Sequence, residues 1–394
     1  MNEVYVVSGV RTAIGTFGGS LKGVPATDLA AKVTAEALRR SGVAAAEVGH
    51  VVFGQVLHTG PRDMYISRVA AIEAGLPVET PALTVNRLCG SGLQAVVSAA
   101  QSIRLGDCDV AIAGGAESMS QAPFFATSVR WGTRMGNAPL IDILDGALND
   151  PFNRVLMGVT AENVAERHQI SREDQDALAL ESHRRASNAT RSGYFKDQIL
   201  GIEIKGRKGP EVFDTDEHTR HDAVADDFGK LRPVFKRDGG SVTAGNSSGI
   251  NDGAAAVVLA SGAAVKRLGL KPMARMVTYA HAGVEPLFMG LGPIPATKLA
   301  LKKAGIAIND IDVIESNEAF AAQACAVARD LGFDPAKVNP NGSGISLGHP
   351  VGATGAINTV KAVYELTRTQ TQRALVTMCI GGGQGIAAIF ERAH

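Results

Sequence analysis

Two thiols and one imidazole lie in glycine-rich junctions far apart in the chain, and their types point to acyl chemistry. Cys89 sits in Asn86-Arg-Leu-Cys89-Gly-Ser-Gly-Leu93, where a strand should end and a helix begin. Unpaired amides and the positive dipole end of that helix would stabilise a thiolate and lower the thiol from its ordinary value of ~8.5. The same residues fit a buried, inert Cys in a tight turn. His349 lies in Asn341-Gly-Ser-Gly-Ile-Ser-Leu-Gly-His349-Pro-Val-Gly-Ala-Thr-Gly355. So many glycines press backbone close around the ring, which suits a base for a small reacting centre; a core His held by a carbonyl is the alternative. Cys379, in Met378-Cys379-Ile-Gly-Gly-Gly-Gln-Gly385, follows a strand predicted at Ala374–Thr377 and can face a cavity. Asn317, in Glu315-Ser-Asn317-Glu318-Ala-Phe320, either holds a water or polarises an oxygen, or it caps a helix beginning at Glu318.

Taken together these residues say more than each does alone. A Cys beside a His makes an activated nucleophile. A second thiol can move protons, a role worth ~10²–10⁴ in rate. Glycine amides can supply oxyanion donors, each worth roughly 3 kcal/mol. All four junctions follow strand ends or precede helices, and in α/β sheets that edge is where ligands bind. The set favours acyl transfer through a thioester and leaves the acyl carrier open.

The elements that must position these groups alternate along the chain. Val4–Ser8, His50–Phe53, Ala82–Val85 and Asp109–Ala113 read as strands. Ala26–Ser41 reads as a helix with Thr27 or Asp28 as N-cap and Gly42 past its end, and Leu93–Leu105 reads as another. Alternation predicts βαβ units and a mostly parallel sheet covered on both faces. The second half repeats the plan: Ala37-Leu38-x-x-x-Gly42-Val43 resembles Ala300-Leu301-x-x-x-Gly305-Ile306, an offset of 263 residues (305 − 42). Cys89-Gly-Ser-Gly92 echoes Asn341-Gly-Ser-Gly344 in a different register. Two similar α/β halves are expected. The stretch between them, Ser118–Gly249, holds the only Trp, a polar helix at Arg172–Arg191 and a charged segment. The expected organisation is therefore 1–118 plus 250–270 as the first half, 119–249 as an inserted loop domain and 271–394 as the second half.

Bulk properties narrow the function further. Of 394 residues, 45% are hydrophobic, which supports large cores and argues against disorder. Lys+Arg and Asp+Glu are 39 each, so no global field favours nucleic acid or a membrane surface. No apolar run approaches a membrane span, and Met1–Gly15 has no basic stretch before an apolar one, so no secretory signal is expected. Four sparse cysteines fit a reducing cytosol, and none has C-x-x-C spacing for zinc. Cys108 and Cys325 read as buried apolar residues. A P-loop, a dinucleotide fingerprint, H-E-x-x-H and G-x-S-x-G are all missing.

Cys89-Gly-Ser-Gly, Asn317-Glu-Ala-Phe-Ala, Gly348-His349-Pro with Gly352-Ala-Thr-Gly, and Cys379-Ile-Gly-Gly-Gly together resemble the thiolase family. The likeness runs from Ser8-Gly-Val-Arg-Thr-Ala-Ile-Gly15 to Gly385. Pro61-Arg-Asp-Met-Tyr65 and Asn86-Arg-Leu-Cys-Gly are similar to the bacterial β-ketothiolases that feed polyhydroxyalkanoate synthesis. The resemblance implies duplicated α/β halves in αβαβα layers with an inserted loop domain. It implies a reversible Claisen reaction on coenzyme A thioesters, with coenzyme A as substrate or product and no metal or organic cofactor. By that analogy Cys89 takes the acyl group, His349 removes its proton, and Cys379 abstracts the α-proton of the second acyl-CoA. One oxyanion site would come from His349 and a water on Asn317, the other from the amides of Cys89 and Gly381. Met157 would flank the pantetheine, Ser248 would meet its amide, Arg220 the nucleotide end, and Met289 with Phe320 would close the acyl pocket. Leu156 stands where related enzymes often have His, which puts chain-length preference in question. A homotetramer is expected, with Gln121–Leu148 as the contact region. A degradative thiolase with longer-chain preference, a decarboxylating ketoacyl synthase, a cysteine hydrolase and a silent acyl-CoA-binding protein are the alternatives. The second thiol, Cys379, argues against the synthase and the hydrolase.

Overall fold

The computed structural model describes residues 2–206 and 209–393. Its frame is nine principal strands: β1 (Val4–Thr12), β2 (His50–Gly54), β3 (Ala82–Val85), β4 (Val110–Ser118), β5 (Asn251–Ser261), β6 (Ala274–Gly283), β7 (Val313–Ser316), β8 (Arg373–Ile380) and β9 (Gln384–Arg392). Seven helices matter for the site: α1 (Ala26–Ser41), α2 (Ser91–Leu105), α3 (Met157–His168), α4 (Arg172–Arg191), α5 (Pro293–Ala304), α6 (Ala321–Leu331) and α7 (Thr354–Thr369).

The strands form one continuous sheet in the order β7-β8-β9-β6-β1-β5-β4-β2-β3. Read outward from its middle, each half has the same order and the same directions. β1 runs antiparallel to β5, β5 antiparallel to β4, and β4 parallel to β2. β6 is antiparallel to β9, β9 antiparallel to β8, and β8 parallel to β7. Both first strands bulge at the same place, between Val6 and Ser8 and between Met276 and Thr278. The halves meet where Tyr5 and Val6 pair with Arg275 and Ala274. The duplication expected from the 263-residue offset is therefore present. The mostly parallel sheet is not: five of the eight principal pairings are antiparallel. β9 follows β8 through three glycines, and a turn that short can only return the chain antiparallel.

Apolar side chains alternate along the strands and so feed different layers. One core lies between the half-sheets and takes Ala113, Val257, Val376 and Ala388 from the strands and Leu93, Val96, Ile357 and Val360 from α2 and α7. A second packs α1 on the outside of the first half, through Leu29 and Val33 against Ile112 and Val258. A third packs α5 and α6 outside the second half, through Ile294 and Val327 against Leu375 and Ile389. The result is five layers, αβαβα. α1 has the expected range and ends at Gly42 with φ 69°, but its N-cap is Pro25 and neither Thr27 nor Asp28 caps it. Both lie inside the first turn and are too late in the chain for that place. The echo at Asn341–Gly344 heads only the short helix Gly344–Leu347. The true counterpart of α2 is α7, since each lies in the central layer just before the second strand from last of its half.

α7 is buried on nearly every face, including Lys361 and Glu365. Lys361 Nζ lies 2.6 Å from Glu315 of β7 and donates to the Gly342 carbonyl. Such a pair is costly to desolvate and costlier to break, so it ties α7 to one register on the sheet. α2 and α7 meet backbone to backbone at their N-termini. A methyl group on Gly92 would lie 2.6 Å from the Ala356 nitrogen and 3.0 Å from the Ala353 carbonyl oxygen. Gly92→Ala should destabilise the fold by ~1–3 kcal/mol through overpacking. Chemical denaturation checks this, and an unchanged midpoint would mean that the helices separate freely.

Candidate active site

The Cys89 turn is held by its own side chains. The Asn86 carboxamide oxygen accepts from the Leu88 amide at 2.9 Å, and Ser91 Oγ accepts from the Arg87 amide at 2.8 Å while donating to the Leu88 carbonyl at 2.7 Å. Leu88 is forced to φ 45°, a left-handed conformation that costs a branched residue ~1–3 kcal/mol and persists only where neighbours impose it. The turn packs directly on β8: a methyl on Gly90 would lie 2.7 Å from Ile380 Cδ1. The backbone N–H groups of Gly381 and of Cys89 itself face the Cys89 sulfur. These amides do not produce a resting thiolate. Cys89 as a residue is half-buried, but the surroundings of its sulfur are desolvated; this burial pushes the thiol up to about 11, with Glu117 adding to the rise, and outweighs both amides. The expectation that the helix terminus would lower the Cys89 pKa is thus overturned, because desolvation is the larger effect.

His349 lies in the loop that enters α7. Its backbone N–H donates to Asn251 Oδ1 at 2.9 Å, and Gly348, at φ 109°, rests on the Asn251 side chain. The ring Nδ1 is 2.7 Å from Thr354 Oγ1, and that hydroxyl donates to the Pro350 carbonyl at 2.9 Å. With its proton so committed, Thr354 accepts from Nδ1–H, and the lone pair is on Nε2. Burial pushes the imidazole down to about 4, so it is neutral at physiological pH. Nε2 lies 3.4 Å from Asn317 Nδ2. His349 is thus held neutral with its accepting nitrogen toward Asn317.

Asn317 follows β7, and its backbone N–H donates to the Thr377 carbonyl at 3.0 Å. Its Oδ1 is buried without a partner, which marks a place for a water or a ligand donor. It caps no helix: α6 begins at Ala321 after Phe320, three residues later than expected.

Cys379 is fully buried near the end of β8, against Met157, Met289, Ala319 and Phe320. Its thiol is raised chiefly by burial and further by the neighbouring Cys89, so the two sulfurs share one electrostatic environment. Gly382 and Gly383, at φ 80° and 87°, turn the chain into β9. A cavity of about 350 Å³ opens beside these groups, lined among others by Leu148, Met157, Phe235, Ser248, Phe320 and His349. The Ser248 N–H donates to the Ala319 carbonyl at 2.9 Å, and Phe235 meets Phe320 edge-on at 6.3 Å. Leu156 lines the same cavity. Nearly all of its wall is apolar, which suits an alkyl and amide chain better than a charged ligand.

The structure therefore brings Cys89, His349, Cys379, Asn317 and Gly381 to one region, with Met157, Met289, Ser248 and Phe320 around it. Arg220 is elsewhere: it is exposed and lines a separate basic recess with Arg184, Arg191 and His221. His281 lies apart from these groups: it bonds Gln94 at 2.8 Å and meets Tyr279 edge-on at 5.7 Å. Cys108 and Cys325 are half-buried, not buried as expected. Sequence reasoning missed Ser91, Asn251, Glu117 and the tautomer-setting role of Thr354. Of these, Ser91, inside Cys89-Gly-Ser-Gly, and Thr354, inside Gly352-Ala-Thr-Gly, carried a visible signal.

Because Cys89 rests as a thiol, its alkylation by iodoacetamide should keep accelerating as pH rises from 7 to 9. A rate already level at pH 7 would show a resting thiolate and contradict the burial argument.

Family comparisons agree with this geometry. Residues 4–263 match the family described as thiolase, N-terminal domain, and residues 270–392 match thiolase, C-terminal domain. The chain is 68% identical to the beta-ketothiolase BktB of Cupriavidus necator, over 99% of each chain. It is 50% identical to the acetyl-CoA acetyltransferase of Syntrophomonas wolfei, again over 99% of each. Its structure superposes on human mitochondrial 3-ketoacyl-CoA thiolase with a TM-score of 0.97 at 44% identity, covering 100% of this chain and 99% of that one. With both halves matched and relatives this similar along their whole length, the chain belongs to the thiolase family.

Proposed function

We propose that this acyltransferase catalyses the reversible Claisen condensation of two acetyl-CoA molecules, or of acetyl-CoA with a short acyl-CoA. The products are a 3-ketoacyl-CoA and free coenzyme A. The observation that carries the reading is the neutral His349, whose Nε2 lone pair shares one buried site with two protonated thiols. His349 takes the Cys89 proton as the sulfur attacks the thioester carbonyl, and returns it to the departing coenzyme A sulfur. Cys379 then gives its own proton to the neutral His349, removes the α-proton of the second acyl-CoA as the thiolate, and His349 passes its proton on to the Cys89 sulfur as that sulfur leaves. The carbanion displaces Cys89 from the acyl group, and the new carbon–carbon bond replaces the carbon–sulfur bond. Negative charge on the two thioester oxygens falls to two sites, one made by the amides of Cys89 and Gly381 and the other by His349 with a water on the free Asn317 oxygen. A thiolate in water-excluded surroundings is a strong nucleophile, and the site forms one only when an electrophile is present.

The names of the most similar relatives, a beta-ketothiolase and acetyl-CoA acetyltransferases, support condensation over a purely degradative role. The resemblance of Pro61-Arg-Asp-Met-Tyr65 and Asn86-Arg-Leu-Cys-Gly to bacterial β-ketothiolases supports a place in polyhydroxyalkanoate synthesis. Met157, Met289, Ser248 and Phe320 are assigned to the pantetheine and acyl group, and the exposed Arg220 to the nucleotide end. The chain divides, on this reading, into 1–118 plus 250–270, 119–249 and 271–394. Phe124, Trp131 and Met135 are exposed in the inserted segment, which supports a homotetramer joined through Gln121–Leu148. Among the described residues no helix is long and apolar enough to cross a membrane, and the four free cysteines suit the cytoplasm.

Cys89→Ala should abolish formation of an acetyl-enzyme from acetyl-CoA, read by mass spectrometry of the intact protein. A persisting adduct would remove Cys89 as nucleophile. Cys379→Ser should still acetylate but lose condensation by ~10²–10⁴; condensation at the wild-type rate would remove its role as base. Leu156→His should shift preference toward acetyl-CoA over longer chains, by ~10-fold or more if a buried methylene contact is lost. A chain-length series in the thiolysis direction reads this, and an unchanged ratio would show that Leu156 does not touch the acyl group.

A further inference from the structure

Glu117 ends β4 in the middle of the molecule. It is fully buried and makes no ion pair among the described residues. Its Oε2 accepts from the Val56 amide at 3.0 Å and the Gly352 amide at 2.9 Å, and its Oε1 accepts from the Leu57 amide at 3.1 Å. Val56 and Leu57 follow β2. Gly352 lies three residues after His349, in the loop that carries the base. A methyl on Gly352 would lie 2.5 Å from Glu117 Oε2, so only glycine lets that backbone reach the carboxylate. The other side of the same loop rests on β4: a methyl on Gly115 would lie 2.9 Å from Ala353 Cα.

The duplication shows what is unusual about this position. The 263-residue offset carries Glu117 onto Ile380, the neighbour of Cys379, and Gly54 onto Asn317. The strand ends that bear catalytic groups in the second half bear, in the first, a carboxylate that bonds backbone from two loops. A buried carboxylate without a cation costs desolvation that an apolar residue would avoid. Holding the loop is a return that an apolar residue could not give. The titratable groups facing Glu117 are Cys89 and, through the Gln55 side chain, Asp63. Burial pushes the carboxyl up to about 8, and the three amides oppose the rise.

We propose that Glu117 is a positioning residue of the condensation reaction, fixing the His349 loop against the Cys89 turn through the Gly352 amide. The proposal rests on the acyl-transfer reading above. Above about pH 8, where the Glu117 carboxyl is ionised, its charge also repels the Cys89 thiolate. Gln at 117 removes the charge and replaces one accepting oxygen with a donor. Asp keeps the charge but falls short of one loop.

The experiment compares Glu117→Gln and Glu117→Asp with the wild type, by steady-state condensation of acetyl-CoA and by iodoacetamide alkylation of Cys89 without coenzyme A. Both variants should lose kcat by up to ~10²-fold, the effect of small misplacement of a reacting group, with KM for acetyl-CoA little changed. Alkylation should move to lower pH in Glu117→Gln and stay in place in Glu117→Asp. Unchanged kcat in the variants would overturn the proposal. So would kcat, KM and thermal midpoint falling together with no alkylation shift, the mark of a merely structural residue. If Gln prevents folding, the split between kcat and KM in Glu117→Asp decides. Loss of condensation in the wild type itself would instead sink the acyl-transfer reading, because the alkylation readout needs no acyl-CoA.

Discussion

The site depends on a contact with no side chains in it. The N-termini of α2 and α7, equivalent helices of the two halves, meet through Gly92 and Gly355. A methyl on Gly355 would run into the Leu93 backbone nitrogen and lie 2.9 Å from the Leu93 Cα. Any larger residue would hold the helices apart, and the groups just before them, Cys89 and His349, would part as well. The layered fold serves this contact. Two half-sheets clamp the central helices from opposite sides, and the buried Lys361–Glu315 pair sets the register of α7. β8 then delivers Cys379 to the same place through the Ile380 contact with Gly90.

Burial, not the helix dipole, decides the protonation states. The dipole end of a helix offers a partial charge, whereas removing a thiolate from water costs more than two amides return. Both thiols therefore rest protonated and His349 rests neutral. This arrangement favours carbon–carbon chemistry. A permanent thiolate–imidazolium pair would attract water and a hydrolytic fate, while a neutral triad of proton carriers becomes charged only as substrate charge develops. The apolar cavity and the unpartnered Asn317 oxygen belong to the same logic: little in the pocket is polar except where the reacting oxygens will lie.

Much of this was legible in the residues. α1 and α4 were found to the residue, because the apolar period and the glycine past α1 are strong local signals. The glycine-rich junctions were found because small residues at strand ends betray close backbone approach. What was not legible depended on tertiary contact. The sheet's antiparallel pairings follow from the order of its strands in space, which alternation alone does not state. The helix after Asn317 starts late because Glu318 is taken up by Ser182 and Asn339 while Ala319 and Phe320 pack against Cys379. Cys89 was expected as a low-pKa thiol because its turn is visible in sequence and its burial is not. Glu117 carries no signal in the sequence, because its place depends on three amides from two loops that converge on it only in the fold.

The central claim is that one acyl group touches all three reacting side chains. A crystal structure of the acetylated enzyme with a second acetyl-CoA bound tests it most directly. The acetyl group should be on Cys89 with its carbonyl oxygen at the Gly381 amide, and the methyl carbon of the second molecule should lie in contact with Cys379. An acetyl group on Cys379, or a second thioester methyl out of reach of both sulfurs, would contradict it.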